Sequence, residues 1–258
     1  MFKNRAHTLF LILGGFFITN ALVAEFIGIK IFSLEATLGF SPLDLSLFGV
    51  DGLGFNMTAG VLLWPIVFVM TDVINEYYGK KGVSFLSYLT VGLIIYAFIM
   101  IYSATQLIPN EWWNNESGVS NDPDKHIVSM NVAYAKILGQ GLWIIVGSLV
   151  AFLVGQILDV IIYHRIRQWT GESKIWLRAT GSTLISQFVD SYVVLIIAFY
   201  IGSDWDLSRV LAIGSVNYIY KLVMAILLTP LIYLAHFTIE KYLGHNLAVE
   251  LKASASST

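Results

Sequence analysis

Six stretches of this chain are apolar over lengths that can cross a bilayer: 9–32, 56–78, 85–107, 133–163, 177–201 and 211–236. Roughly 20 apolar residues in a helix cover about 30 Å of hydrocarbon. A span must bond its own backbone polar groups, because no water is present to do it. The expected fold class is therefore all-α: a polytopic membrane protein with six transmembrane helices. Residues 1–252 are expected to form a single domain, and the small, polar run 253–258 a disordered tail. Only 12% of the 258 residues are charged and 57% are hydrophobic, against about 25% charged in an ordinary soluble domain. That excludes a disordered chain, and a net charge of −2 offers no basic field for nucleic acid. It also argues against a soluble enzyme. The first stretch runs past a short signal-peptide core and places bulky Leu22 where a cleavage site wants a small residue, so it reads as a span. Span four is longer than a crossing needs, so it either tilts or begins as an interfacial turn around Lys136.

The cationic residues orient the spans. Lys3, Arg5, Lys80, Lys81, Arg165, Arg167, Lys174, Arg178, Lys241 and Lys252 fall on one side, and Lys125 and Arg209 on the other. Lys30, Lys136 and Lys221 lie within spans or at their ends. Both termini are expected in the cytoplasm, as an even number of spans requires. The opposite loops are acidic and aromatic, with Glu35, Asp44, Asp51, Glu111, Trp112, Trp113, Asp204 and Trp205. An aromatic belt with solvated loops explains them better than a capture site for cations. There is no cysteine, and the five histidines are scattered without H-E-x-x-H, so neither a metal nor a cofactor is expected.

Charges inside a bilayer cost at least about 2.5–3.5 kcal/mol each on insertion scales, so they mark function. Glu25, Asp72, Asp159, Asp190, Lys136 and Lys221 fall inside spans or at their ends. Asp190 lies at the middle of span five and Lys221 a few ångströms outward in span six, with Asn217 one turn away. Glu25 lies roughly 7 Å outward in span one. Spacings of three and four put Gln187 with Asp190, Gln156 with Asp159, Asp72 with Asn75 and Glu76, and Asn217 with Tyr218 and Lys221 on common helix faces. The candidate substrate-binding set is Asp190, Gln187, Lys221, Asn217, Glu25 and Tyr218. A gating or structural network is expected of Asp72, Asn75, Glu76, Gln156, Asp159, Arg165 and Arg178, the acids pairing with Lys80, Lys81 or Arg165. Pro65 is expected to kink span two near its middle.

A carboxylate beside a carboxamide can read an amide-like edge. The N1–H and exocyclic amine of a guanine-type ring suit a bidentate carboxylate. Tyr192, Tyr218, Tyr220 and Phe188 are candidates to stack on such a ring. Amino acids, vitamins or protons fit the same residues.

Several motifs occur in order: Thr71-Asp72-Val73-Ile74-Asn75-Glu76-Tyr77-Tyr78-Gly79-Lys80-Lys81; Gly155-Gln156-Ile157-Leu158-Asp159; Tyr163-His164-Arg165-Ile166-Arg167; Trp176-Leu177-Arg178; Gly181-Ser182-Thr183; Gln187-Phe188-Val189-Asp190; Asn217-Tyr218-Ile219-Tyr220-Lys221; and Thr229-Pro230. Together they resemble the queuosine-precursor transporter family, also called the vitamin uptake transporter family, over about 20–233. The resemblance implies a six-helix importer of the bacterial inner (plasma) membrane. It implies a fold similar to the substrate-binding subunits of energy-coupling-factor transporters. The implied substrates are 7-cyano-7-deazaguanine and 7-aminomethyl-7-deazaguanine, salvaged for the queuosine modification of tRNA. Glu25 departs from the family pattern, which is less acidic there.

The partners expected are thus a deazapurine base and the lipid bilayer, with no nucleic acid; homo-oligomerisation stays open. The alternative is a substrate-binding subunit that depends on an ATPase. The chain has no G-x-x-x-x-G-K-[ST], and its first span offers a poor small-residue pattern for docking (Gly14, Gly15, Ala21, Ala24). A standalone importer is the preferred reading. An intramembrane enzyme is disfavoured: no histidine lies in a span interior, and Asp72 and Asp190 differ in depth by roughly 8 Å on the helix rise.

Overall fold

The computed structural model describes residues 4–116, 118–123, 126–139, 141–171 and 175–256. Lys3, Asp124, Lys125, Lys174 and the last two tail residues lie outside the described residues. Helix α1 (Arg5–Ile27) is capped by the Asn4 side chain, which accepts from the Ala6 and His7 amides. It stops at Gly28, earlier than the hydropathy suggests. The following residues make a short outer cap: β1 (Ile31–Ser33), α2 (Leu34–Thr37), β2 (Leu45–Leu47), β3 (Val50–Leu53) and β4 (Asn56–Thr58). β1 pairs antiparallel with β4 and β2 with β3. Buried Glu35 ties this cap together, accepting from the Phe55 amide at 2.7 Å and the Ser33 hydroxyl at 3.1 Å. This acid is structural, and no capture site is needed to explain it.

After a 3₁₀ turn (Ala59–Leu62), α3 (Trp64–Thr105) runs for 42 residues. At 1.5 Å per residue that is about twice the hydrocarbon thickness. Gly79 breaks it, with φ 64° and ψ −171°. The contacts of α1 show what the break does. Tyr78 donates to the carbonyl of Ala6, and Gly60 lies against the carbonyl of Ala24, so 60–78 runs antiparallel to α1. Phe10 meets Phe85 and Phe26 meets Phe98, so 85–98 runs parallel to it. The two limbs of α3 therefore fold back as a hairpin about Gly79. Gly82 sits directly on Tyr78 and Ile74, where a Cβ would come within 2.6 Å of the Tyr78 Cβ. Pro65 occupies the first turn of α3, where its missing N–H is not needed, so it does not kink the span as expected.

Next come α4 (Glu111–Asn115) and α5 (Met130–Leu138), which carries Lys136 in its last turn and ends at Gly139. The long fourth stretch is thus split, and α6 (Leu142–Thr170) makes the crossing. Helix α7 (Ile175–Leu195) continues into a π turn (Ile196–Ile201). Helix α8 (Leu207–Leu243) contains Pro230 and exceeds the expected 211–236 at both ends. Helix α9 (His245–Ser256) follows Gly244. Residues 253–256, expected to be a disordered tail, are its last turn; Lys252 anchors that end by bonding Glu240 at 2.6 Å and lying over the Tyr77 ring. Among the described residues, five helical segments are long and apolar enough to cross a membrane: Arg5–Ile27, Trp64–Thr105, the α5–α6 stretch within Met130–Thr170, Trp176–Ile201 and Leu207–Leu243.

The main core joins Leu9, Leu13 and Phe17 of α1, Val67, Ile74, Tyr77, Val83 and Leu86 of both α3 limbs, Phe152 and Val160 of α6, and Leu243 of α8. Gly14 lets Leu86 approach so closely that a Cβ would fall 2.8 Å from it.

The hairpin depends on a left-handed residue at position 79. Gly79→Val should cost about 1–3 kcal/mol, the strain of a positive-φ, extended-ψ backbone open essentially only to glycine. A lower melting temperature in detergent checks it. Gly15→Ala, where a Cβ meets nothing within 4 Å, should leave the melting temperature unchanged or raise it.

Candidate functional site

Helices α3, α6, α7 and α8 bring the intramembrane polar residues together. A narrow cleft lies between α3, α7 and α8. Pro65, Phe68 and Val69 form one wall, and Ala225, Leu228 and Ile232 another. Its polar lining is Asp72, Thr180, Thr183, Gln187 and Lys221. The ammonium of Lys221 is bonded directly to Asp190 Oδ2, and both side chains are largely buried. Gly155 of α6 packs at ordinary contact distance here: a Cβ there would lie 3.6 Å from the Asp190 Cβ and 3.8 Å from the Phe68 ring. Gln187 is 4% exposed, and its Nε2 has no hydrogen-bond partner among the described residues. An orphaned buried amide on a cleft wall is a ready donor for a ligand acceptor.

The expected substrate set is only partly assembled here. Gln187 and Lys221 line the cleft, and Asp190 reaches it through Lys221. Asn217 and Tyr218 are not part of its lining; the Tyr218 ring packs edge-on against Phe188 at 5.2 Å. Phe188 is exposed on the outer surface, Tyr192 bonds Ser215, and Tyr220 packs with Met57 and Val61. None of the four stacking candidates lines the cleft; its aromatic is Phe68. Glu25 accepts from Ser148 on α6 at 3.0 Å. Asp72, expected at a different depth, opens into the same cleft as Gln187 and Lys221.

Below the cleft lies a fully buried ion network. Arg178 donates to Glu76 at 2.7 Å, to the Tyr163 hydroxyl at 3.1 Å and to the Gly171 carbonyl at 2.8 Å. The Tyr163 hydroxyl donates to the other oxygen of Glu76. Arg167 stands 3.8 Å from Glu76, so the carboxylate is shared between two guanidinium groups. Asn75 bonds His164 at 3.0 Å, Thr71 donates to Gln156 at 2.9 Å, and Tyr77 meets His236 at 3.1 Å. Arg165 does not join: it is exposed and lies over Trp169, while Arg167, two residues on, faces inward. Nor do Lys80 and Lys81 pair with Glu76; Arg178 of α7 and Arg167 of α6 take it.

Above this network, the Thr183 hydroxyl stands between Asp72 Oδ2 at 3.5 Å and Asp159 Oδ1 at 3.4 Å. Ser186 donates to Asp159 at 3.1 Å. The hydroxyls of Thr183 and Ser186, together with Tyr163 and Arg167, are functional candidates absent from the expected set. Their spacing was visible, since Thr183 lies one turn before Gln187. A lone hydroxyl in a span carries no insertion penalty that would single it out.

Arg178 and Glu76 are 0% exposed, so removing one strands the other's charge. Glu76→Gln and Arg178→Met should each lower unfolding free energy in detergent by about 3–5 kcal/mol. The double substitution should cost clearly less than the sum, a coupling that a double-mutant cycle measures.

A family model described as "Putative vitamin uptake transporter" matches residues 58–235, more than half of the chain. A "Probable queuosine precursor transporter" of Bacillus subtilis is 28% identical over 196 residues, 72% of this chain and 74% of that protein. A protein of the same description from Haemophilus influenzae is 25% identical over 201 residues, 75% and 72% of the two chains. A "Queuosine precursor transporter" of Escherichia coli is 26% identical over 178 residues, 69% and 71% of the two chains. No solved structure matches. The family match takes in every residue that lines the cleft and both partners of the Glu76–Arg178 pair. The chain belongs to the vitamin uptake transporter family and is a multi-pass inner-membrane protein.

Proposed function

We propose that this chain imports queuosine precursors, the 7-deazaguanine bases bearing a cyano or aminomethyl group, across the bacterial inner membrane. The observation that carries the reading is the convergence of Asp72, Gln187 and the Asp190–Lys221 pair on one cleft whose remaining walls are largely apolar. A guanine-type edge offers two N–H donors to a carboxylate and a carbonyl acceptor to Gln187 Nε2 or Lys221. Pro65 and Phe68 can cover the ring face. The names of the three relatives support the substrate class. The aminomethyl base is a cation, which the acids Asp72 and Glu25 would favour.

Six crossings follow if the two limbs of α3 count separately, as their antiparallel course suggests. With the cationic loops inside, both termini are then cytoplasmic. Transport without a dedicated ATPase is supported by the packing of α1. Gly14, Ala21 and Ala24 are buried, Gly14 against Leu86, which leaves only Gly15 of the four small residues facing outward. The reading is of a transporter, with no catalytic residue assigned.

The test uses cells that neither make queuosine nor possess their own salvage transporter. Expression of this chain with nanomolar 7-cyano- or 7-aminomethyl-7-deazaguanine should restore queuosine in tRNA. Its absence, with the protein verified in the membrane, would refute standalone import of these bases. Asp190→Asn leaves Lys221 without its anionic partner and should abolish restoration while insertion persists; near-normal queuosine in that variant would remove Asp190 from the site. A C-terminal phosphatase fusion should be inactive and a C-terminal fluorescent fusion bright, as a cytoplasmic terminus requires.

A further inference from the structure

Every cation near the cleft already has an anion. Lys221 is bonded to Asp190, and Arg178 and Arg167 share Glu76. Asp72 and Asp159 are 2% and 0% exposed, and no Lys or Arg nitrogen stands within ion-pair distance of either among the described residues. The groups that face them are Glu76 on α3, Tyr163 on α6, Arg178 on α7, and Lys221 at the cleft wall on α8. What Asp72 and Asp159 share is the Thr183 hydroxyl, 3.5 Å from one and 3.4 Å from the other.

A hydroxyl has one proton to donate and lone pairs to accept with. It cannot donate to two carboxylates at once. It can donate to one and accept from the other only when the other is a carboxylic acid. The chain acid–hydroxyl–carboxylate is therefore complete with one proton and frustrated with none. Two like charges in a dry site demand the same occupancy. The unpartnered oxygens Asp72 Oδ1 and Asp159 Oδ2 are both buried. Asp72 and Thr183 line the cleft, whereas Asp159 lies behind them with Ser186. One end of the chain thus meets the substrate cleft and the other does not.

We infer that Asp72, Thr183 and Asp159 form a proton relay that couples import of the base to entry of one proton. The inference rests on the import reading above. With one proton on Asp159 and Asp72 ionised, Asp72 takes a second proton from the cleft and Asp159 then releases its own toward the cytoplasmic side. The Thr183 hydroxyl receives the Asp72 proton while passing its own to Asp159, which restores the starting pair with at least one proton present throughout. The proton count is conserved at each step, and neither charge has to be buried unshared. Serine at position 183 preserves the hydroxyl, and valine preserves the shape without it.

The test reconstitutes the full chain in liposomes and follows radiolabelled 7-cyano-7-deazaguanine. An acid-outside gradient of one pH unit supports at most about tenfold accumulation per proton. Wild type should accumulate the base under that gradient and lose the accumulation with a protonophore. Asp159→Asn should keep exchange of internal for external base and lose gradient-driven accumulation. Thr183→Val should lose accumulation, and Thr183→Ser should retain it. Accumulation that ignores the proton gradient, that follows a sodium gradient instead, or that persists in Asp159→Asn would overturn the relay. Infrared difference spectra of the purified protein need no substrate. Wild type should show a protonated carboxyl C=O band at neutral pH that vanishes in both Asp72→Asn and Asp159→Asn, and a band unchanged by either substitution would also overturn the relay. Wild-type liposomes with neither exchange nor uptake would count against the import reading alone, and the infrared result would then decide the relay.

Discussion

Burying charge without water is the constraint on which this structure depends. An ionised side chain in a thin apolar layer must find an opposite charge, a set of hydrogen-bond donors or a proton. The bundle solves this along one seam between α3, α6, α7 and α8. Glu76 is satisfied by Arg178, Arg167 and Tyr163, and Asp190 by Lys221. Because every partner comes from a helix other than the acid's own, the ion network also sets how the helices sit against one another. Exchanging any of these charges for an apolar group would not relocate its partner. The seam is therefore both scaffold and site.

Close approach makes the seam reachable. Gly14 admits Leu86, and Gly82 admits Tyr78. In hydrocarbon, helices gain little from burying apolar surface against each other, so small residues that let backbones touch carry much of the packing. Gly79 does a different task, turning α3 back on itself so that both limbs flank α1. The first limb then holds Asp72, Asn75 and Glu76 toward α6 and α7, while the second closes the opposite side of the core.

Much of this was legible in the chain. Apolar runs announced a multi-spanning helical protein, and rare charges inside those runs announced the seam. The i, i+3 and i+4 spacing of Asp72, Asn75 and Glu76 put them on one face, and all three are buried there. What failed to read through was rotation about a helix axis. Arg165 and Arg167 are two residues apart, and only packing reveals that the second faces Glu76. Tyr218 shares a face with Lys221 by spacing, yet its ring turns to Phe188 and not to the cleft. Depth misled in the same way, since Asp72 and Lys221, set at different depths by the helix rise, line one cleft. The tail looked too small and polar to order, but Lys252 found Glu240 and Tyr77 from outside it.

By itself the sequence determined that the chain lies in a bilayer as a mostly helical protein, and which side chains are too costly to be there idly. Those properties follow from transfer energies and backbone hydrogen bonding, which act residue by residue. Tertiary structure alone decided which charge meets which, that Thr183 stands between two acids, and that the cleft's aromatic is Phe68. Such pairings depend on the relative rotation and tilt of separate helices, and no local pattern along one helix encodes them.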